Sequence, residues 1–391
     1  MIKPEQALFL LFLFCKPFYF LPSGSFQIGD SLLVFSFLVF AIKNRKNKLW
    51  GKWIWQDKEY LFFAIGAVFI NQVCYLGYGD SFSLFAGAYI LYNYLVIVLF
   101  RRLASERRFL QQMEHICRLN LWIQCFLLVS GWGRYRFEHR YVGSFQDPNQ
   151  MAFFVFAMLL LIYIIRIKIG EKKEGIWLDI FLSGILIYCS KSVGAALGFF
   201  IFFICFLLSQ RKWKGVFLVA VSVGVLFLFL FQAQLPGDSY HLFYRIQEKL
   251  YKIQADGISN FLSQRGIDRI WLYPWYLLWG AGDGAYTRFS KSWLVFQELH
   301  STLPQLWFCY GAVPFFCILC WLYRNIKNVS PKYVGVYLSL FVESFVLVNS
   351  RQPFFWMILL LGKNSLFYIK QGENKWKKEK TDMGVRPLLW F

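Results

Sequence analysis

Arg140-Tyr-Val-Gly-Ser-Phe-Gln-Asp-Pro-Asn-Gln150 runs directly into Met151-Ala-Phe-Phe-Val-Phe-Ala-Met-Leu-Leu-Leu-Ile-Tyr-Ile-Ile165, and that run ends on the basic stretch Arg166–Lys173. Asp147-Pro148-Asn149 is a helix-start signal: an aspartate can cap the first turn, and proline is already set for it. The run that follows is apolar on every side. A helix of that kind is buried in a core or in lipid. The basic cluster at its far end is the mark of a span whose C-terminal end faces the cytoplasm.

The same alternation fills the chain. Of its 391 residues 58% are hydrophobic, 21% aromatic and only 16% charged, where soluble domains carry about 25% charge. Phe dominates the aromatics, which suits lipid contact and interface belts. A span needs about 20 mostly apolar residues. Val216–Phe231 and Phe308–Leu322, like Ala152–Ile165, reach or approach that length with almost no charge. The alternating segments of a membrane β-barrel are absent. The expectation is an all-α polytopic integral membrane protein, one transmembrane domain over residues 1–391.

A net charge of +20 suggests nucleic acid as a partner. Its distribution argues otherwise. Lys43–Lys48, Arg101–Arg108, Arg166–Lys173, Arg211–Lys214, Arg324–Lys332 and Lys370–Lys380 punctuate the apolar runs rather than sharing one folded face. Six of the nine cysteines, Cys317 and Cys320 among them, sit inside apolar runs and read as small hydrophobes. The first apolar run lacks a small-residue cleavage site, so it is expected to remain as the first span.

Setting the basic clusters inside orders the chain. Two spans precede Lys43. Spans are then expected at Tyr60–Leu76, Leu84–Phe100, Leu119–Ser130, Met151–Ile165, Ile176–Tyr188, Val193–Leu208, Val216–Phe231, His300–Tyr323, Val334–Val348 and Phe354–Tyr368. The total is about twelve helices of membrane-span length, with both termini cytoplasmic. The basic tail, residues 371–391, lies inside against the anionic leaflet. No internal repeat and no broken helix is evident, which argues against an inverted-repeat transporter. One large extracytoplasmic loop remains, residues 234–300.

Three outer segments carry the polar residues. Arg134, Arg136, His139 and Arg140 precede the Asp147 helix start; positive charge outside is no retention signal and invites an anion. Ser190-Lys191-Ser192 forms a tight joint, where Lys191 either snorkels or holds a phosphate. In the large loop, His241–Ile253 places Leu242, Phe243, Ile246, Leu250 and Ile253 on one helical face, as a helix lying on the membrane surface does. Arg265 and Arg269 follow. Ile270–Trp279 reads as an interfacial or re-entrant helix, and Gly280-Ala-Gly282-Asp283-Gly284 as a flexible turn where backbone can approach a ligand. His300 begins the next span. It reads either as an interfacial residue or, with arginines gathered from separate segments, as a base beside a diphosphate.

These motifs, R-x-x-G-x-F-x-D-P-N before a span, S-x-R-x-x-x-x-x-W in the loop, a G-x-G turn and H-S-T-x-x-Q-x-x-x-x-x-G from His300 to Gly311, resemble the O-antigen ligase/polymerase superfamily. The resemblance implies a GT-C-like membrane glycosyltransferase acting on undecaprenyl-diphosphate-linked glycans as donor and acceptor, without metal, cofactor or nucleotide sugar. It implies a bacterial cytoplasmic-membrane enzyme of O-antigen, capsule or exopolysaccharide synthesis, with the bilayer and the pathway's flippase and chain-length regulator as partners. It assigns His300 to catalysis and Arg140 and Arg265 to the diphosphate. Lys191 stands where relatives carry an arginine in S-R-G-A, displaced by about two residues. Lys keeps the charge and loses the planar fork. Arg269, Asp283, Glu298 and Gly282 are accessory candidates. A ligase that moves the glycan to a lipid A core shares the donor. A flippase for the same lipid-linked glycan would place its cations within a central cavity across the membrane.

Overall fold

The computed structural model describes residues 2–22, 25–137, 139–170, 175–210, 215, 242–327 and 329–362. The expected span Val216–Phe231, the cluster Arg211–Lys214, the start of the large loop and the tail from residue 371 lie outside the described residues.

The described chain is mostly helical. Three helices are long and apolar enough to cross a membrane: Lys58–Tyr78, Phe82–Leu103 and Pro148–Ile169. At 22 residues the last is about 33 Å long at 1.5 Å per residue, close to a hydrocarbon core. It is also the most enclosed, with 83% of its apolar window buried. It packs against helices Arg107–Val129, Ile176–Ser190, Val193–Ser209 and Pro353–Leu361. Pro4–Cys15, Ile176–Ser190, Val193–Ser209 and Ala312–Ile326 are apolar but shorter.

Two expected spans differ. The helix expected at Leu119–Ser130 runs from Arg107 to Val129, and its first half carries Glu114 and Arg118. Those charges are paired: Glu114 Oε1 lies 2.8 Å from Arg166 Nε, and Arg118 Nη2 lies 3.1 Å from Asp179 Oδ2. The span expected at His300–Tyr323 is broken into Thr302–Tyr310 and Ala312–Ile326 by Gly311, whose φ is +69°. The carbonyls of Phe308 and Cys309 accept from Ala281 N at 2.9 Å and Gly282 N at 2.7 Å, so the break is stitched to the large loop.

The basic helix ends gather at one end of the bundle. Arg101 Nη2 meets Asp57 Oδ1 at 2.6 Å, Arg324 reaches the same carboxylate at 3.4 Å, and Lys43 pairs with Glu5 at 3.2 Å. At the opposite end the outer segment that leads to Asp147 contains a hairpin of Arg134–Arg136 and Arg140–Gly143. Tyr135 pairs with Tyr141 and Arg136 with Arg140. The turn uses positive φ at Phe137 and His139. Tyr141 OH donates to Gln124 O at 2.8 Å, fixing the hairpin to the bundle.

Candidate functional site

Asp147 caps the Pro148–Ile169 helix as its sequence implies: one carboxylate oxygen accepts from Asn149 N at 2.9 Å and Gln150 N at 3.0 Å. Arg140 uses its fork on the frame. Its Nε donates to Ser190 O at 2.9 Å and its Nη2 to Asn149 Oδ1 at 2.8 Å. Ser190 ends the Ile176–Ser190 helix, where unsatisfied carbonyls carry partial negative charge. One buried arginine thus joins the end of one helix to the start of another. Lys191, next to that carbonyl, takes the left-handed conformation that closes the helix, with φ +54°.

The surface helix of the large loop runs Leu242–Ser263 and bends at Gly257, which has non-helical dihedrals. Its Phe243 ring lies 6.1 Å from Tyr188, beside the Lys191 joint. Arg245 and Lys249 are one turn apart and so share a face. Neither makes an ion pair with a described carboxylate. Burial, then the positive charges of Arg265, Arg245 and Arg140, push the Lys249 ammonium down to about 8. Cations from the hairpin, the surface helix and the end of the loop therefore converge, and the sequence reading had missed Arg245 and Lys249.

Arg265 holds the backbone of His300 with both its carbonyl and its side chain. His300 N donates to Arg265 O at 3.0 Å, and Arg265 Nη2 donates back to His300 O at 2.7 Å and also to Val346 O. The other nitrogens of the Arg265 fork bond no described residue. Burial lowers Arg265 somewhat from its ordinary value. His300 is pushed down to about 4, first by burial and then by the charges of Arg265, Arg269 and Lys249. At neutral pH its imidazole is uncharged and can accept a proton.

The imidazole lines a cavity of about 320 Å³, together with Glu298, Arg351, Lys16 and Asp147. Arg351, between the last two described helices, has Nη2 2.7 Å from Glu298 Oε2 and 3.1 Å from Asp283 Oδ1. Burial raises Glu298, and Arg351 partly offsets it. On the far wall Lys16 Nζ meets Asp30 Oδ1 at 2.6 Å, and Tyr92 OH donates to the same oxygen at 2.7 Å. Arg351, Lys16 and Asp30 were not anticipated. Arg351 stood in Asn-Ser-Arg-Gln-Pro between two apolar runs on the outer side, where its positive charge was the available signal.

Three of the accessory candidates make their contacts within the protein. Arg269 is fully buried. It donates to the carbonyls of Leu294 and, at 2.7 Å, Gln297, with its guanidinium 4.8 Å from the Phe289 ring. These bonds tie the loop to itself, while its Nε and Nη1 are buried with no hydrogen-bond partner among the described residues. Gly282 sits against Cys74, where a Cβ would come within 2.5 Å of the Cys74 Cβ; the close backbone approach is to the protein itself. Ile270–Trp279 forms two short helices, Arg269–Leu272 and Tyr276–Trp279, rather than one re-entrant helix. Asp283 lies behind the cavity and is not part of its wall. Burial pushes its carboxyl up, but the Arg351 charge and donors from Tyr310, Tyr286 and Gln305 outweigh that and hold it below its ordinary value. It meets Arg351 Nη2 at 3.1 Å. Glu298, by contrast, shares the cavity with His300.

Among the described residues no cluster of His, Cys, Asp or Glu could hold a metal ion. All nine cysteines are free thiols. No protein-family model matches this chain, and no curated protein matches it.

Proposed function

We propose that this chain is a membrane glycosyltransferase that polymerises oligosaccharide repeat units carried on undecaprenyl diphosphate. In this reading the fold is a GT-C-like bundle of about twelve spans in the bacterial cytoplasmic membrane, with the site at the outer face and both termini inside. The observation that carries it is the position of His300: an uncharged imidazole lines a cavity on one side and feels Arg265 and Lys249 on the other.

The acceptor sugar's hydroxyl oxygen attacks the anomeric carbon of the donor. The new C–O bond forms as the bond from that carbon to the diphosphate oxygen breaks, and the electron pair leaves on the diphosphate. The hydroxyl proton passes to His300, which later releases it to water. Attack opposite the leaving group inverts the anomeric centre. Arg265, Lys249 and Arg245 stabilise the charge that grows on the leaving diphosphate, as fixed cations in a poorly hydrated site do. Arg140 and Lys191 hold the joint beneath them. The bonds that Arg140 makes to Ser190 and Asn149 favour a frame-holding role over a purely ligand-facing one.

Reconstitution in lipid nanodiscs with a purified undecaprenyl-diphosphate repeat unit tests the reading. Products of two and more repeats on the lipid support a polymerase. Transfer only to an added lipid A core glycan would identify a ligase, and unchanged repeat units moved across a vesicle would identify a flippase.

A further inference from the structure

The cavity beside His300 differs in kind from the cation group beside it. Its two cations are each matched already: Lys16 by Asp30 at 2.6 Å, and Arg351 by Glu298 at 2.7 Å and Asp283 at 3.1 Å. Asp147 adds a further carboxylate to the wall. The wall thus carries two carboxylates, Asp147 and Glu298, against two cations, with Asp30 and Asp283 behind them as further partners of those cations, and the imidazole contributes no charge. An anionic ligand would meet no unmatched positive group there.

The rest of the wall is aromatic and hydrogen-bonding. Tyr19, Tyr89, Phe82 and Phe85 line it, and Phe82 is stacked under Arg351 with the guanidinium 5.0 Å from its ring. Flat aromatic faces match the axial C–H faces of a pyranose. Planar carboxylate and guanidinium groups match pairs of adjacent hydroxyls, because they bond in fork geometry. The volume, about 320 Å³, is at the low end of ligand pockets, about 300–1,000 Å³. That suits a short piece of glycan.

We propose that this cavity is the acceptor-sugar subsite and that it takes an electrically neutral sugar and excludes hexuronic acids. Glu298 and Arg351 grip adjacent hydroxyls of that sugar, and Tyr89 stacks on its face. The hydroxyl that attacks points to His300, which stands at the boundary with the cation group. Two subsites of opposite electrostatic character, one for a dianionic diphosphate and one for an uncharged sugar, meet at a single imidazole. The role of the sugar as acceptor rests on the polymerase reading; its binding does not.

The test is saturation-transfer NMR on the full chain in nanodiscs, with maltotriose, a galactose trisaccharide and triacetylchitotriose as neutral probes and trigalacturonate as the acidic one. At least one neutral trisaccharide should show transfer. The signal should fall at least fivefold in Glu298→Gln and in Tyr89→Ala, and any transfer to trigalacturonate, which the neighbouring cation group can attract, should be unchanged by Tyr89→Ala. Glu298→Gln removes half of an ion pair and could disturb folding. Tyr89→Ala touches no ion pair and keeps the test open if Glu298→Gln fails to fold. Binding of trigalacturonate alone, neutral-sugar transfer unaffected by either substitution, or no transfer from any neutral sugar at millimolar concentration would overturn the assignment. Sugar binding without elongation would overturn the polymerase reading alone. Elongation without substitution-sensitive sugar binding would overturn the subsite alone.

Discussion

Arg265 and His300 are clasped by two bonds: His300 N donates to Arg265 O at 3.0 Å, and the Arg265 side chain returns one from Nη2 to His300 O at 2.7 Å. The same terminal nitrogen also reaches Val346 O. One side chain therefore ties the middle of the large loop to its last residue, His300, and to the end of the Pro331–Val346 helix. Lysine at this position keeps the charge but cannot serve two carbonyls and a diphosphate in fork geometry. Arg265→Lys should cut elongation at least tenfold, about 1.4 kcal/mol, with the protein still inserted. Elongation within twofold of the parent would show that Arg265 is only a charge.

The pH dependence follows from His300. Its ordinary value is 6.5 and burial with neighbouring cations takes it to about 4. A group depressed in this way takes up protons more readily in the unfolded chain. Stability is therefore complete above about pH 6.5 and declines as the pH falls toward 4. The base form persists over the same window, so elongation should hold its rate down to about pH 5 and be lost near pH 4. Lys249→Gln removes one of the depressing charges and should move that acid limb upward. A wild-type limb near 6.5, unmoved by Lys249→Gln, would remove His300 from this role.

Asp283 is buried and meets the part-buried Arg351 at 3.1 Å, so removing its charge takes away one of the two carboxylates that hold that guanidinium. Asp283→Asn should lower the melting temperature in detergent by several degrees and loosen Arg351, raising the acceptor KM more than it lowers kcat. A loss confined to kcat, with melting unchanged, would give Asp283 a direct chemical part that its place behind the cavity wall does not support.

Gly311 takes φ +69° with ψ −176°, and a Cβ there would come within 2.5 Å of Leu278 O and 2.7 Å of Gly280 N. The clash is with backbone, which cannot rotate aside. Gly311→Ala should cost about 1–3 kcal/mol and detach the Gly280–Gly282 stretch from the helix break, seen as faster amide exchange at Ala281 and Gly282. Unchanged protection of those two amides would mean that the break tolerates a side chain.

Much of the scaffold was legible because membrane-length apolar runs leave little choice. Lys58–Tyr78, Phe82–Leu103 and Pro148–Ile169 extend the expected spans by a few residues, and Asp147 caps the last of them. His300 and Glu298 do share a cavity. What escaped the sequence were features made by contact between distant segments. Gly311 breaks its helix because a loop some thirty residues earlier supplies donors to the freed carbonyls. Arg269 looks like a solvated loop arginine, yet it is fully buried and its Nη2 is taken by the carbonyls of Leu294 and Gln297. Lys16, at the end of the first apolar run, is matched by Asp30 from the next helix, a partner that sequence order does not reveal. The hairpin was hidden because its strands are only three and four residues long.

The central claim is that the His300 imidazole accepts the proton of the attacking hydroxyl. His300→Gln keeps most of the volume and a hydrogen-bonding tip but cannot take up a proton, and the backbone clasp with Arg265 is unaffected by the side chain. Single-turnover elongation in nanodiscs, with undecaprenyl-diphosphate repeat units and purified His300→Gln, should form the disaccharide linkage at least a hundredfold more slowly than the parent, in the range of general-base effects of about 10²–10⁴, while lipid-linked single repeats remain. A rate within a few fold of the parent would contradict the account.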